Sequence, residues 1–275
     1  MKTEFCIWSQ FYNTKEPEEA ILEFEKDGLG YIELSSEHIT SLLERKGELS
    51  EIGANFANFC LQHGVKIRQA HLIFPSNIAT DKSVTELLDK QLILLSAMGV
   101  KAAVLHGDEM EECDIPYKEK LDRNAEALIP IARSAERVGI TVCIENMRKI
   151  FASIDEILYV IEKIGSPALG VCLDTGHLNI TKTSTQREFI LKAGNRLKAL
   201  HIANNDGKTD QHFAPFTGGI SMDFFEVVDA LRDIGYEGMF NHEIGGESGN
   251  CPVPVKHIKY HGIKAGYDYL MDNLK

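Results

Sequence analysis

Six residues whose side chains can bind a metal each close an apolar, strand-like run: His71, His106, Glu145, Asp174, His201 and Glu243. The runs before them are 65–70, 102–105, 140–144, 169–173, 197–200 and 238–242. Chance would scatter such residues over helix faces and loops. Imidazoles and carboxylates together form a borderline ligand set that suits manganese or zinc, with cobalt, iron or magnesium as alternatives; sulfur-rich metal chemistry has no support here. Two further segments add donors of the same kind, Asp174-Thr175-Gly176-His177 and Asp210-Gln211-His212. A bound divalent cation would also explain how so many acids could share one cleft, because unpaired like charges repel strongly there.

Such residues can converge only if the strands that carry them lie side by side and parallel. The periodicity fits that requirement, with short apolar runs alternating with longer amphipathic stretches of 3.6-residue rhythm. Eight βα units are expected. The first strand spans 4–9 and the second 31–34, and helices are predicted over 17–26, 51–63, 83–98, 117–138, 154–164, 186–193, 222–234 and 255–270. Pro130 interrupts the fourth of these, so a kink or break is expected there. Glycines 64, 99, 139, 165, 194 and 235 follow six of the helices, as helix stops do. The pattern is that of an α/β protein built as a single (β/α)8 TIM barrel over residues 1–275, with its site at the C-terminal ends of the strands. No linker, low-complexity stretch or composition break suggests a second domain.

The chain has 275 residues and a formal charge of −12. That balance disfavours non-specific attraction to a phosphate backbone and weighs against a nucleic-acid partner, although a local basic or metal-lined groove would escape the argument. No apolar run approaches the length needed to cross a bilayer, and the opening residues do not resemble a secretion signal. The six cysteines are widely spaced with no C-x-x-C pair and read as reduced, mostly buried thiols. A cytoplasmic protein is expected, and homo-oligomerisation stays open.

The segments Ile144-Glu145-Asn146-Met147, Leu173-Asp174-Thr175-Gly176-His177, Leu200-His201-Ile202, Asp210-Gln211-His212 and Gly235-Tyr236-Glu237-Gly238 leading to Glu243 resemble the xylose isomerase-like TIM-barrel superfamily. That group contains sugar and sugar-phosphate isomerases and epimerases, and endonuclease IV. The resemblance implies one divalent metal held by Glu145, Asp174, His201 and Glu243. It implies that Glu145 and Glu243 double as the acid/base pair, that His177 contacts a substrate oxygen, and that the substrate is a small sugar, sugar phosphate or polyol derivative. Endonuclease IV uses a three-metal cluster, whose additional ligands match His71, His106, His177, Asp210 and His212. A phosphodiester hydrolase acting on abasic DNA is therefore the rival reading, and a non-catalytic sugar-binding barrel is a third. The strand-end loops offer few cations for gripping a duplex, chiefly Lys82, Arg148, Lys149 and Lys208, which favours the sugar enzyme.

Plainer readings apply elsewhere. His257 and His261 have the spacing of helix-borne ligands but fall on the last helix, away from the mouth, and read as surface residues. His38, His63 and His242 read the same way, with His242 expected to point away from Glu243. The acidic patch 108–112 reads as a solvated loop. Gly245-Gly246-Glu247-Ser248-Gly249-Asn250 could bind phosphate through backbone amides, yet no neighbouring Lys or Arg is fixed there by the sequence.

Overall fold

Every candidate ligand has to reach one end of one sheet, and the strand arrangement achieves this. A computed structural model describes residues 3–219, 222–247 and 250–274. In chain order its elements are β1 (Phe5–Trp8), α1 (Pro17–Lys26), β2 (Tyr31–Leu34), α2 (Ser36–Leu43), α3 (Leu49–Gln62), β3 (Lys66–His71), α4 (Ser83–Ala97), β4 (Ala102–Leu105), α5 (Tyr117–Val138), β5 (Thr141–Glu145), α6 (Ile154–Ile164), β6 (Leu169–Asp174), α7 (Thr175–Thr181), α8 (Gln186–Ala193), β7 (Leu197–His201), α9 (Phe224–Asp233), β8 (Phe240–His242) and α10 (Val253–Asp272). The eight strands pair in the order β7-β6-β5-β4-β3-β2-β1-β8, and all the pairings are parallel. A parallel bridge between Ile202 and His242 joins the two end strands, with Ile202 N–H donating to Asn241 O at 2.8 Å. That closes the ring and makes the molecule a (β/α)8 TIM barrel.

Strand alternation determines what faces inward. Ala102, Val104, Cys143, Cys172 and Ala199 form a small buried cluster of their own, separate from the large core beneath the helices. His106, Glu145, Asp174 and His201 share the parity of these residues along β4, β5, β6 and β7, so they project into the same interior at its upper end. Odd-numbered His71 and Glu243 follow β3 and β8 in the same sense. His242, one residue away from Glu243, faces outward: its ring packs on Phe5 at 4.9 Å and its Nδ1 lies 3.1 Å from Cys6 O.

The structure departs from several expectations. Helix α5 runs unbroken through Pro130. Proline removes one backbone donor, but Pro130 and Glu126 both lie on the exposed face, where water can satisfy the freed Glu126 carbonyl. Helix α2 was not anticipated. Its start is fixed by Ser35, whose Oγ accepts from His38 N–H. His38 and His242 are buried rather than on the surface, and His38 is held between Ser9 Oγ and Lys15 O. His257 and His261 pair with Asp27 at 2.7 and 3.2 Å, fastening α10 to the end of α1. Asp108 is buried and accepts from Ala79 N, Thr80 N, Thr80 Oγ1 and Met110 N, so it ties the βα loops together instead of facing solvent. All six cysteines are free, and Cys6, Cys60, Cys143 and Cys172 are buried.

Candidate metal centre

The four residues with the strongest sequence case converge. One ligand atom each from Glu145, Asp174, His201 and Glu243 lies within 4.8 Å of every other, and all four residues are buried. They arrive differently. Glu145 and His201 are the last residues of β5 and β7, while Glu243 lies just past β8. Asp174 ends β6 and also caps α7, its Oδ1 accepting from His177 N–H at 2.6 Å. That bond commits one carboxylate oxygen of Asp174 and leaves the other free.

The uncommitted atoms give the clearest evidence. Glu145 Oε1, Asp174 Oδ2, His201 Nδ1 and Glu243 Oε2 are all buried and all lack a hydrogen-bond partner. His201 Nδ1 lies 3.2 Å from Glu145 Oε1 and 3.5 Å from Glu243 Oε2, without hydrogen-bonding alignment. Buried polar atoms are nearly always paired, and three carboxylate oxygens facing one imidazole nitrogen would be costly to leave so. A divalent cation would satisfy all four at once, and the donor set of one imidazole and three carboxylates suits a borderline cation such as zinc or manganese.

The charges around the four are uneven. Burial by itself would raise the Glu145 carboxyl, but the imidazoles of His201, His106 and His177 outweigh it and hold Glu145 well below the ordinary range. Burial and the neighbouring Glu145 and Asp174 push Glu243 up to about 8, against the pull of His201 and His212. Burial disfavours a charged His201, yet Glu243, Glu33 and Glu145 hold its ring well above the usual imidazole value. One carboxyl of the pair is thus biased towards the ionised form and the other towards the protonated form.

Two flanks adjoin the centre. On the β3/β4 side, His106 Nε2 lies 3.0 Å from Glu145 Oε2 and 3.1 Å from His71 Nε2. His71 Nδ1 lies 2.8 Å from Leu72 O and donates to it, so Nε2 is the unprotonated nitrogen of the neutral ring. Burial and His106 push His71 down to about 4. On the other side His177 Nε2 lies 3.0 Å from Asp210 Oδ2, and His212 Nε2 lies 3.3 Å from Asp210 Oδ1. Burial opposes charge on His212, but Asp210 and Glu243 raise it to about 10. All nine sequence-predicted residues therefore belong to one connected site.

Above them opens a cavity of about 610 Å³, lined by His71, His106, Glu145, His177, Asp210, His212 and Glu243 at its floor and by Trp8, Phe74, Met147 and Arg148 higher up. Lys259 from α10 also lines it, where its Nζ donates to Gly245 O at 2.7 Å and Glu247 Oε1 at 2.5 Å. A fixed lysine does stand beside the glycine loop, contrary to the sequence reading, but Glu247 neutralises it. Ser248 and Gly249 of that loop lie outside the described residues. Glu33, Gln69 and Asn241, none of them among the residues expected at the site, are buried beside His201. Glu33 carried a readable signal, an acid inside the apolar run Tyr31-Ile32-Glu33-Leu34.

The family profile described as "Xylose isomerase-like TIM barrel" matches residues 23–269. The chain belongs to that family. Among xylose isomerase-like relatives, a probable endonuclease 4 of Mycoplasmopsis pulmonis is 25% identical over 167 residues, 57% of this chain and 59% of its own length. A D-psicose 3-epimerase of Enterocloster bolteae is 30% identical over 112 residues, 39% of this chain and 35% of its own length. The chain spans about half the length of the curated relatives it matches. A solved D-psicose 3-epimerase with D-tagatose from Clostridium cellulolyticum H10 superposes with a TM-score of 0.80 at 18% identity, covering 99% of both chains. Among the described residues no helix is long and apolar enough to cross a membrane.

Proposed function

We propose that this chain is a divalent-metal-dependent isomerase or epimerase of a small sugar, sugar phosphate or polyol derivative. The observation that carries the reading is the convergence of four orphaned ligand atoms, two of them on glutamates, at an open cavity. Named relatives that epimerise psicose, fructoselysine and L-ribulose support it. When bound, the cation would polarise a substrate carbonyl and stabilise the negative charge of an enediolate. Glu145, held ionised, removes the proton from the carbon beside the carbonyl. Glu243 returns a proton that it takes up from solvent, and the roles reverse for the opposite substrate. The two carboxylates come from different strands, Glu145 from β5 and Glu243 from just past β8, and the resemblance gives them opposite faces of the substrate. The resemblance gives His177 a substrate oxygen, and since its Nδ1 lies 2.9 Å from Asn146 O and its Nε2 3.0 Å from Asp210 Oδ2, one of these contacts has to open for it to do so.

A second reading has its own observation. His71, His106 and Glu145 Oε2 close within 3.7 Å on one flank, and His177, Asp210 and His212 meet on the other. These groups could hold further cations, as an endonuclease IV-like phosphodiester hydrolase acting on abasic DNA would require. Two features favour the sugar reading. On the second flank the one carboxylate, Asp210, is already engaged by two rings, and of the cations near the mouth Lys259 is paired with Glu247 and Lys149 with Glu109 and Glu111, which leaves Arg148 as the lining cation with no ion pair among the described residues.

The test is metal analysis followed by incubation with a panel of ketoses and their phosphates in deuterated water. Uptake of one solvent deuteron at a carbon next to the carbonyl is expected. Cleavage of an abasic duplex with no sugar exchange would replace the proposal with the hydrolase. An occupied metal with neither activity would leave a binding barrel.

A further inference from the structure

Glu33 is wholly buried at the end of β2 and reaches beneath the candidate metal centre. Its Oε1 accepts from Gln69 Nε2 at 2.9 Å and lies 3.0 Å from His201 Nε2, and its Oε2 accepts from Asn241 Nδ2 at 2.6 Å. Gln69 is steadied in turn by Leu200 O at 3.2 Å. One carboxylate thus gathers donors from β3, β7 and β8.

An ionised carboxylate is expensive to bury, and the two amide donors alone would be served equally well by a neutral acceptor. The partner that needs a negative charge is His201. Its other nitrogen, Nδ1, faces Glu145 and Glu243 and has no hydrogen-bond partner. Its ring is also stacked on His71, with centroids 5.5 Å apart and planes at 14°. The ring plane is fixed by stacking, and the end that carries the proton is fixed by Glu33.

We propose that Glu33 is the positioning residue for His201. It accepts the Nε2 proton, so Nδ1 is the nitrogen presented to the cation, and Gln69 and Asn241 hold the carboxylate in that pose. This rests on the metal reading of Glu145, Asp174, His201 and Glu243. A carboxylate behind a ligating imidazole both selects its tautomer and raises its basicity, and its loss typically costs about 10- to 100-fold in metal affinity.

The experiment titrates zinc into chelator-stripped wild type, Glu33→Gln and Glu33→Asp by calorimetry, and records long-range 15N spectra of histidine-labelled, zinc-loaded wild type. The expected result is zinc affinity weaker by about 10- to 100-fold in Glu33→Gln, partial recovery in Glu33→Asp, and a wild-type His201 with its proton on Nε2 and zinc on Nδ1. A Glu33→Gln protein that is folded and binds zinc within about twofold of wild type would overturn the proposal, as would a wild-type spectrum with zinc on Nε2. If Glu33→Gln does not fold, the wild-type spectrum decides alone. Wild type that takes up no zinc or manganese would instead remove the metal reading and this proposal with it, an outcome distinct from normal loading in both proteins.

Discussion

The two flanks of the central cluster use the same residue types and solve opposite problems. On the β3/β4 flank, His106 Nε2 lies between Glu145 Oε2 and His71 Nε2, and His71 is kept neutral by burial. On the loop flank, Asp210 lies between His177 and His212; burial would raise its carboxyl, but the two rings hold it far below its ordinary range, and both are themselves raised. The first flank offers unprotonated nitrogen, ready to ligate. The second is a set of ion pairs in which two rings share one carboxylate. Between them lie the four atoms that nothing in the protein satisfies. The contrast shows that residue type alone does not make a ligand. A histidine whose metal-facing nitrogen is paired with a carboxylate is a poor metal ligand until a proton leaves, whereas one whose carboxylate sits behind its other nitrogen is available.

The largest predicted effect comes from the centre. Glu145→Gln or Glu243→Gln should lower turnover by about 10²- to 10⁴-fold, the usual range for a lost acid/base group. The measurement is solvent-deuterium incorporation at saturating substrate, and either variant retaining full turnover would end the acid/base assignment. Stripping the metal should also destabilise the fold. A cation present at a thousand times its dissociation constant contributes about 4 kcal/mol, on the order of 10 °C in Tm for a chain of this size. A chelator that leaves Tm unchanged would contradict a bound ion.

The flanks should then separate by stability. Asp210→Asn leaves two imidazolium rings without their anion and should cost about 1–3 kcal/mol, read as a lower denaturant midpoint. His71→Asn keeps a side-chain N–H for Leu72 O and should cost about 1 kcal/mol or less. Equal costs would erase the distinction between the flanks.

The smallest effect is on pH dependence in the metal-free protein. Glu243 titrates near 8 when folded, against an ordinary value of 4.5. The folded state therefore holds a proton that the unfolded state has lost, so this group's contribution to stability is complete below about 4.5 and fades as pH rises towards about 8. Loading a cation expels that proton, and His201, raised when folded, loses its Nδ1 proton in the same step. Metal affinity should therefore climb with pH up to about 8, and calorimetry in buffers of different ionisation enthalpy should show proton release. Affinity that does not vary over this range would contradict it.

Much of this was legible in sequence because a strand end is a position that periodicity locates well. The apolar runs identify where each strand stops, and a polar residue at that point has few structural reasons to be there. The ion-pairing of the loop flank was less legible, since the approach of Asp210 to His177 depends on a loop whose path no period encodes. Glu33 escaped because its strand was read for its apolar residues and its partners come from three other strands. Asp108 was misread for a similar reason: an acidic run looks solvated until the amides of residues 79 and 80 are brought to it from another loop. Pro130 shows the limit from the other side, because the break its local sequence allowed does not occur and the proline lies on the exposed face of a continuous helix.

The most direct test of the central claim is anomalous diffraction from crystals grown with manganese or zinc, collected on either side of the metal edge. A peak is expected within coordination distance of Glu145, Asp174, His201 and Glu243, present whether or not the flanks are occupied. A peak confined to His177, Asp210 and His212, or none near the four at full metal loading, would contradict it.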